Sequence, residues 1–591
     1  MNYLGQQLER PSFVIIVTVV ALALSMPSLW IGLSADDHLH RLALTGQDPL
    51  GWGKNTASGM FEFLDGDAAR TRRMIESGML PWWTYLHVRG SFWRPLTILT
   101  HQLDYVLWPE SPWLMHAHNL AWFCLLIVGV SILYRQLKLP GWVPGLAALL
   151  YALDDAHGWP VGWIANRNGL VATSFGVFAI SAFIRARRDG CKRWQFISLT
   201  LLAAALLSAE AGLGTVAYLA AYTAFLDQRS WRRRVVALSP FILLTAVWWI
   251  IHHALGHGFS GSDLYIDPTY SPVLFLKALV IRAPILLLAQ FAGPPAFIAV
   301  LLPVSDQIKW ALAALPVLAL LAYAARRQLN DNPTSRFLAV GMLLSLLPIS
   351  ATFPHDRLLL FTGIGAMGLI AQVVYSVLSV KNLLRNQILA FCFAMFHLIS
   401  GACLLPIAVA SPYFIGQLAE REAAAIRTIA WTPRSTVILI NPPVPFFAGH
   451  GLILLASENA PLPTRTLMMA TGSDDILLQR VGDQSLLVRS ANGFISGPMD
   501  SLFRSTASPF EVGEHITLSG VTIIVTALMS DGRPSEVIFQ FDRSLEDPEL
   551  LWRAYIDLTM VPFQPPPLGK SIMLAGQSIM SLEFLRDLLR D

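Results

Sequence analysis

The chain has 591 residues, 54% of them hydrophobic and 14% charged, and its mean hydropathy is +0.52. That is more apolar surface than a soluble protein of this length can hide, so a polytopic membrane protein is expected. A formal charge of +3 carries no electrostatic footprint for nucleic acid, and Cys124, Cys191, Cys392 and Cys403 form no disulfide framework.

The first apolar run, 13–33, follows Glu9-Arg10-Pro11. It is long enough for a ~30 Å hydrocarbon core and lacks a small-x-small cleavage site, so it reads as an uncleaved span. At its outer end stands Ser34-Ala35-Asp36-Asp37-His38-Leu39-His40. Two adjacent carboxylates either raise one another's pKa or share a divalent cation; the plainer alternative is a solvated helix terminus.

Arginine and lysine clusters resist translocation. Those at 134–138, 185–193, 229–234, 326–327 and 381–385 place the N-terminus in the cytoplasm. Spans are expected near 13–33, 114–133, 141–153, 169–184, 195–208, 211–226, 235–252, 309–325, 336–352, 358–380 and 388–410. The stretch 273–304 holds one good span and a shorter piece after Gly293-Pro294-Pro295, so parity asks for two crossings or a re-entrant pair. The total is eleven to thirteen, with thirteen preferred.

The outer loop 34–112 carries Trp82-Trp83, Trp93, Trp108 and Trp113, the pattern of segments at headgroup level. In Phe92-Trp93-Arg94-Pro95-Leu96-Thr97 the arginine suits a phosphate clamp, or a snorkelling anchor. Asp104, His116, His118 and Asn119 follow. A third constellation runs from Asp154-Asp155-Ala156-His157 to Trp163-Ile164-Ala165-Asn166-Arg167, where a structural ion-pair network is the alternative to a binding role. Glu210 and Arg357 add an acid and a base on the same face. The oxygen and nitrogen groups of Asp36, Asp37, Asp154, Asp155, His157 and Glu210 leave a cofactor open, Mg²⁺ or Mn²⁺.

Beyond about 411 the pattern turns to short alternating runs. Strands are expected at 437–440, 476–481, 485–488, 516–518, 521–527 and 537–541, and helices at 545–556 and 580–590. The domains are then 1–410, membrane-embedded and including the loop 34–112, and 411–591, a β-rich extracytoplasmic α+β domain.

The order of an acidic pair, an Arg-Pro-Leu stretch, a Trp-Ile-x-x-Arg loop, a Ser-x-Glu turn and a late arginine resembles the membrane half of GT-C glycosyltransferases, in particular transmembrane O-mannosyltransferase-like proteins that carry tetratricopeptide repeats. The likeness covers roughly 1–410. Asp154-Asp155 stand where that loop begins His-Pro, Trp159 replaces a glutamate, Ala209 replaces a lysine, and the repeats are absent.

The resemblance implies an inverting transfer of a hexosyl or pentosyl group from a polyprenyl-phosphate carrier to a protein, lipid or glycan at the outer surface. Asp36 would be the general base, and Asp37 would orient the site or, with Asp154, Asp155 and His157, hold a metal. Arg94, Arg167 and Arg357, with His157, would stabilise the departing phosphate, and Glu210 would help bind substrate. Membrane lipids are expected partners, and a bacterial inner membrane with a periplasmic active face is the expected location. A non-catalytic scaffold of this fold and a lipid or solute transporter are the competing readings.

Overall fold

Where the bilayer offers a backbone no partner, each apolar run closes its own hydrogen bonds as a helix. In a computed structural model, which describes residues 2–48, 56–379, 384–443, 445–497 and 499–577, the expected spans all appear as helices. They are Phe13–Ser25 continued by a 3₁₀ turn to Trp30, Pro112–Gln136, Val143–Ala152, Arg167–Asp189, Lys192–Leu206, Leu213–Phe225, Trp231–Ala254, Pro272–Phe291, Val304–Asp331, Pro333–Ile349, Leu360–Ser379 and Leu384–Ala410. Eight helices among the described residues are long and apolar enough to cross a membrane. The short ones survive by burial: Val143–Ala152, about 15 Å long at 1.5 Å per residue, has Leu150 and Tyr151 in the core, with the Tyr151 hydroxyl donating to Leu360 O at 3.0 Å.

The chain divides into two units. Unit 1 comprises residues 1–34, 92–257 and 268–413, and unit 2 residues 35–91, 258–267 and 414–591. This differs from the boundary expected near 410, because most of the outer loop belongs with the C-terminal strands. The reason is apolar: Trp82 and Trp83, expected at headgroup level, are 2% and 0% exposed in the core formed with Val437, Leu467, Phe494 and Phe539. Trp82 Nε1 also donates to Met469 O at 2.9 Å.

Unit 1 gathers its charges by face. On one face Arg135 donates to Glu9 O (3.1 Å) and Arg10 O (2.6 Å), Arg188 to Gln136 O, and Arg187 to Asp227 (2.7 Å). Three of the basic clusters therefore meet; most of the cluster 381–385 lies outside the described residues. On the other face His116 Nε2 meets Gly32 O (2.8 Å), Trp163 donates to Ser34 O (3.1 Å), and Gln290 donates to Asp154 (2.7 Å).

The crossing count follows. Unit 2's three segments share one core, so the chain must return to the same side of a membrane each time it passes between units. Six helices from Pro112–Gln136 to Trp231–Ala254 meet this condition, but five lie between 268 and 413. The first of these five is the helix Pro272–Phe291. Its Arg282 donates to Ser350 O (3.1 Å) and its Gln290 to Asp154, both on the second face, and the following 3₁₀ turn Ala296–Leu301 donates its first amide to Asp356 (2.9 Å).

Unit 2 holds three sheets. Glu62–Asp65, Arg89–Ser91 and Gly258–Ser260 pair antiparallel. Six antiparallel strands run in the order Ser571–Leu574, Ile476–Arg480, Ser485–Ser490, Pro534–Phe541, Val521–Leu528, His515–Leu518. The third sheet, Thr559–Pro562, Leu550–Ile556, Thr436–Leu439, Arg465–Met468, has parallel inner pairs, and the helix Pro445–Ser457 makes the crossover such pairing needs. The segment 545–556, expected as a helix, supplies the strand Leu550–Ile556 instead: Pro548 interrupts it, and Leu550, Trp552 and Ala554 alternate into the core. The helix expected at 580–590 lies outside the described residues.

Candidate functional site

In unit 2 the acidic pair opens the helix Asp36–Thr45. Ala35 precedes it at φ 49° and ψ −118° and supplies no side-chain cap. Asp36 and Asp37 therefore occupy the first turn, where the partial positive charge of the helix end favours carboxylates. Gly46 ends the helix in the left-handed conformation, its amide returning to Leu42 O. The two carboxylates part company. Asp37 is 2% exposed, whereas the Asp36 side chain is 22% exposed and its Oδ1 stands 3.7 Å from His450 Nε2. His38 Nδ1 is bonded to Ser457 Oγ at 2.8 Å. His450 drew no notice in the sequence, since it lies on a helix more than four hundred residues beyond its partner.

In unit 1 the seven other candidates fall in three places. Arg94 precedes a helix whose first residue, Pro95, has no amide to leave unsatisfied. Its Nε and Nη2 both donate to Glu210 Oε2 (3.0 and 2.7 Å), and its guanidinium lies 3.9 Å from the Phe92 ring centroid. His252 Nε2 approaches Glu210 Oε1 at 3.8 Å. Burial opposes ionisation of Glu210, but Arg94 and His252 prevail and hold its carboxyl down at about 2.

Arg167 is 0% exposed. Its Nε donates to Asn119 (2.5 Å), Nη1 to Thr100 O (3.2 Å), and Nη2 to Met115 O (2.9 Å) and to Asp104 (2.5 Å). Asp104 also holds His118 at 2.7 Å, and Trp122 donates to His118 at 3.1 Å. Every guanidinium nitrogen of Arg167 is thus directed at protein acceptors, and the residue ties the helices Pro95–Leu107, Pro112–Gln136 and Arg167–Asp189 to one another.

The loop 154–167 lies against the helix Leu384–Ala410 so closely that a Cβ at Gly158 or Gly162 would collide with the backbone at Ala408 and Val409. In it Asp154 accepts from Gln290 and from Ala156 N (3.1 Å). Burial, then Asp155, pushes Asp154 above the usual carboxylate range; burial, then Asp356, raises Asp155. His157, packed against Tyr151 and Phe123, is pushed down to about 3 by burial and stays neutral. Arg357 lies over Trp163 and Phe353. Both ring nitrogens of His157, Gln290 Oε1 and Arg357 Nε are buried without a hydrogen-bond partner among the described residues, polar atoms that call for a ligand or water. No group of three or more His, Cys, Asp or Glu side chains among the described residues stands close enough to hold a metal ion. Gln290 and His252 were missed in the sequence; a lone amide in the apolar run Leu286-Leu287-Leu288-Ala289 and a histidine pair ending a span were the available signals.

The chain is similar to proteins named as sugar transferases. In particular, it is 30% identical over 139 residues to the human protein O-mannosyl-transferase TMTC3, a match taking in 23% of this chain and 15% of that relative. Among solved structures it is similar to the archaeal oligosaccharyltransferase AglB from Archaeoglobus fulgidus in complex with an inhibitory peptide and a dolichol-phosphate (TM-score 0.41, 13% identity, 79% of this chain and 64% of that chain). It is also similar to ArnT from Cupriavidus metallidurans in the apo state (TM-score 0.38, 14% identity, 76% and 85%). No protein-family model matches.

Proposed function

We propose that this protein is an integral-membrane glycosyltransferase that moves a sugar from a polyprenyl-phosphate carrier to an acceptor on the outer face of the membrane. The observation that carries the reading is the acidic pair directly after the first span, with Asp36 reachable from solvent beside His450 and Asp37 buried. The 139-residue match to a protein named as an O-mannosyl-transferase supports it.

In this scheme the acceptor nucleophile attacks the anomeric carbon while Asp36 takes its proton. The bond from that carbon to the phosphate oxygen breaks with inversion, and the phosphate leaves with the electron pair. Within unit 1, Arg357, whose Nε has no hydrogen-bond partner among the described residues, and Arg94, oriented by Glu210, are the cations suited to a departing phosphate, with neutral His157 suited to donate a hydrogen bond to it. Arg167 and Asp104 keep the helices that present these groups in place. The N-terminal face with its joined basic clusters is cytoplasmic, and the opposite face is periplasmic in a bacterial inner membrane.

The test is transfer of labelled sugar from a polyprenyl-phosphate donor in membranes. Asp36→Asn is expected to lower the rate by on the order of 10² to 10⁴ while the protein still inserts, the range for a positioned base. Near-normal transfer by a correctly inserted variant overturns the assignment.

A further inference from the structure

Unit 1 carries a basic patch beyond what its topology needs. The segments 185–193 and 229–234 hold nine arginines and lysines and one acid, Asp189. They are tied into a single rim: Arg187 donates to Asp227 (2.7 Å) and to Arg233 O (3.4 Å), and Arg229 Nη2 donates to Arg187 O (2.8 Å). Asp227, buried at the rim, is thereby occupied by Arg187.

Lys192, Arg193, Arg232 and Arg233 differ. Their side chains are exposed, and among the described residues none of them makes a hydrogen bond or an ion pair. They also stand where a helix favours the opposite charge. Lys192 and Arg193 open the helix Lys192–Leu206, and Arg232 and Arg233 lie in the first turn of Trp231–Ala254; neither first turn contains an acid or receives a side-chain cap. Cations there add to the positive potential of the helix end. Retention on one side of a membrane asks only for basic residues on that side, and Arg187 and Arg188 supply them in the last turn of Arg167–Asp189, where the helix end favours them. A further set against two helix starts calls for anions from outside the chain.

The surroundings say which anion. The two helices pack against one another, and their outer surfaces beside the cations are apolar and bare: Trp231 is 70% exposed, Phe196, one turn beyond Lys192, is 71%, and Val236, one turn beyond Arg232, is 69%. Unpaired cations and a tryptophan at the end of apolar helix faces complement a phosphate at the end of an acyl chain.

We propose that this patch binds an anionic phospholipid of the leaflet it faces. Lys192, Arg193, Arg232 and Arg233 hold the headgroup phosphate, Trp231 lies at headgroup level, and an acyl chain runs along Phe196 and Val236. The patch is independent of the transfer reading.

The test uses full-length protein in a non-ionic detergent, with retained lipid read by native mass spectrometry after addition of phosphatidylglycerol, cardiolipin or phosphatidylcholine. At least one of the two anionic lipids is expected to be retained in clear excess over phosphatidylcholine and to stay when millimolar inorganic phosphate is added. Arg232→Gln with Arg233→Gln should weaken that retention roughly ten- to thirtyfold, the range for two cations near an anionic headgroup, with the melting temperature in phosphatidylcholine unchanged. Lys192→Gln with Arg193→Gln, on the other helix, should act alike; Arg326→Gln with Arg327→Gln, outside the patch, should have no effect. In each patch variant the seven remaining cations of the rim keep the orientation signal. If neither anionic lipid is retained better than phosphatidylcholine, if inorganic phosphate displaces it, if either patch variant retains lipid as wild type does, or if the Arg326 and Arg327 variant loses as much, the proposal fails.

Discussion

Ala35 shows how local strain coincides with chemistry. It carries a side chain at positive φ, a conformation that costs on the order of 1–3 kcal/mol, yet it is 2% exposed and held by its surroundings directly before Asp36. Asp500 shows the opposite case, a carboxyl retuned by burial, which outweighs the Gly497 amide and pushes it up to about 7. The folded chain therefore keeps a proton that the unfolded chain releases from about pH 4 upward. The resulting stability is present at low pH and is lost as pH rises toward 7. Asp500→Asn should melt progressively higher than wild type between pH 4.5 and 7, with no further divergence above; parallel melting curves across that range by scanning fluorimetry would refute this. Asp36, Arg94 and Glu210 were legible as residue types at the ends of apolar runs. His450 was not, because its meeting with Asp36 is a product of tertiary folding and leaves no trace in local spacing.

Helices were the most legible elements, since twenty apolar residues in a bilayer admit little else. The helix Pro272–Phe291 is the instructive exception. Its length and composition match a crossing, whereas the parity of the spans asks that the segment end on the side from which it starts. In a variant lacking the four native cysteines, Ser271→Cys and Ala292→Cys should both react with a membrane-impermeant maleimide added from the same side. Labelling from opposite sides would restore a full crossing. The strand Leu550–Ile556 was missed for a related reason: its leucines, tryptophan and tyrosine fit a helical stripe as well as a strand, and pairing with Thr436–Leu439 decides between them.

At the scale of the whole molecule, the change of composition near 411 was visible, but the true extent of unit 2 was not. Tryptophans in a loop between membrane segments read equally as interfacial anchors and as core. Trp82, ringed by Phe494, Phe510 and Phe539, decides for core. Trp82→Ala should destabilise unit 2 by about 3–5 kcal/mol, the range for a large aromatic lost from a core, and expose the strands of 414–577 to protease. Protease resistance equal to wild type would return the loop to the membrane surface.

The interleaving of unit 2 along the chain also sets a timetable for biosynthesis. Residues 35–91 leave the ribosome more than three hundred residues before Thr436–Leu439, the first of the C-terminal strands whose core takes in Trp82 and Trp83. At about 5–20 residues per second, Trp82 and Trp83 wait tens of seconds without a core while the remaining spans are inserted. Early synthesis thus leaves an apolar half-domain uncovered, and its safe keeping until residue 414 arrives falls to whatever chaperones serve its side of the membrane.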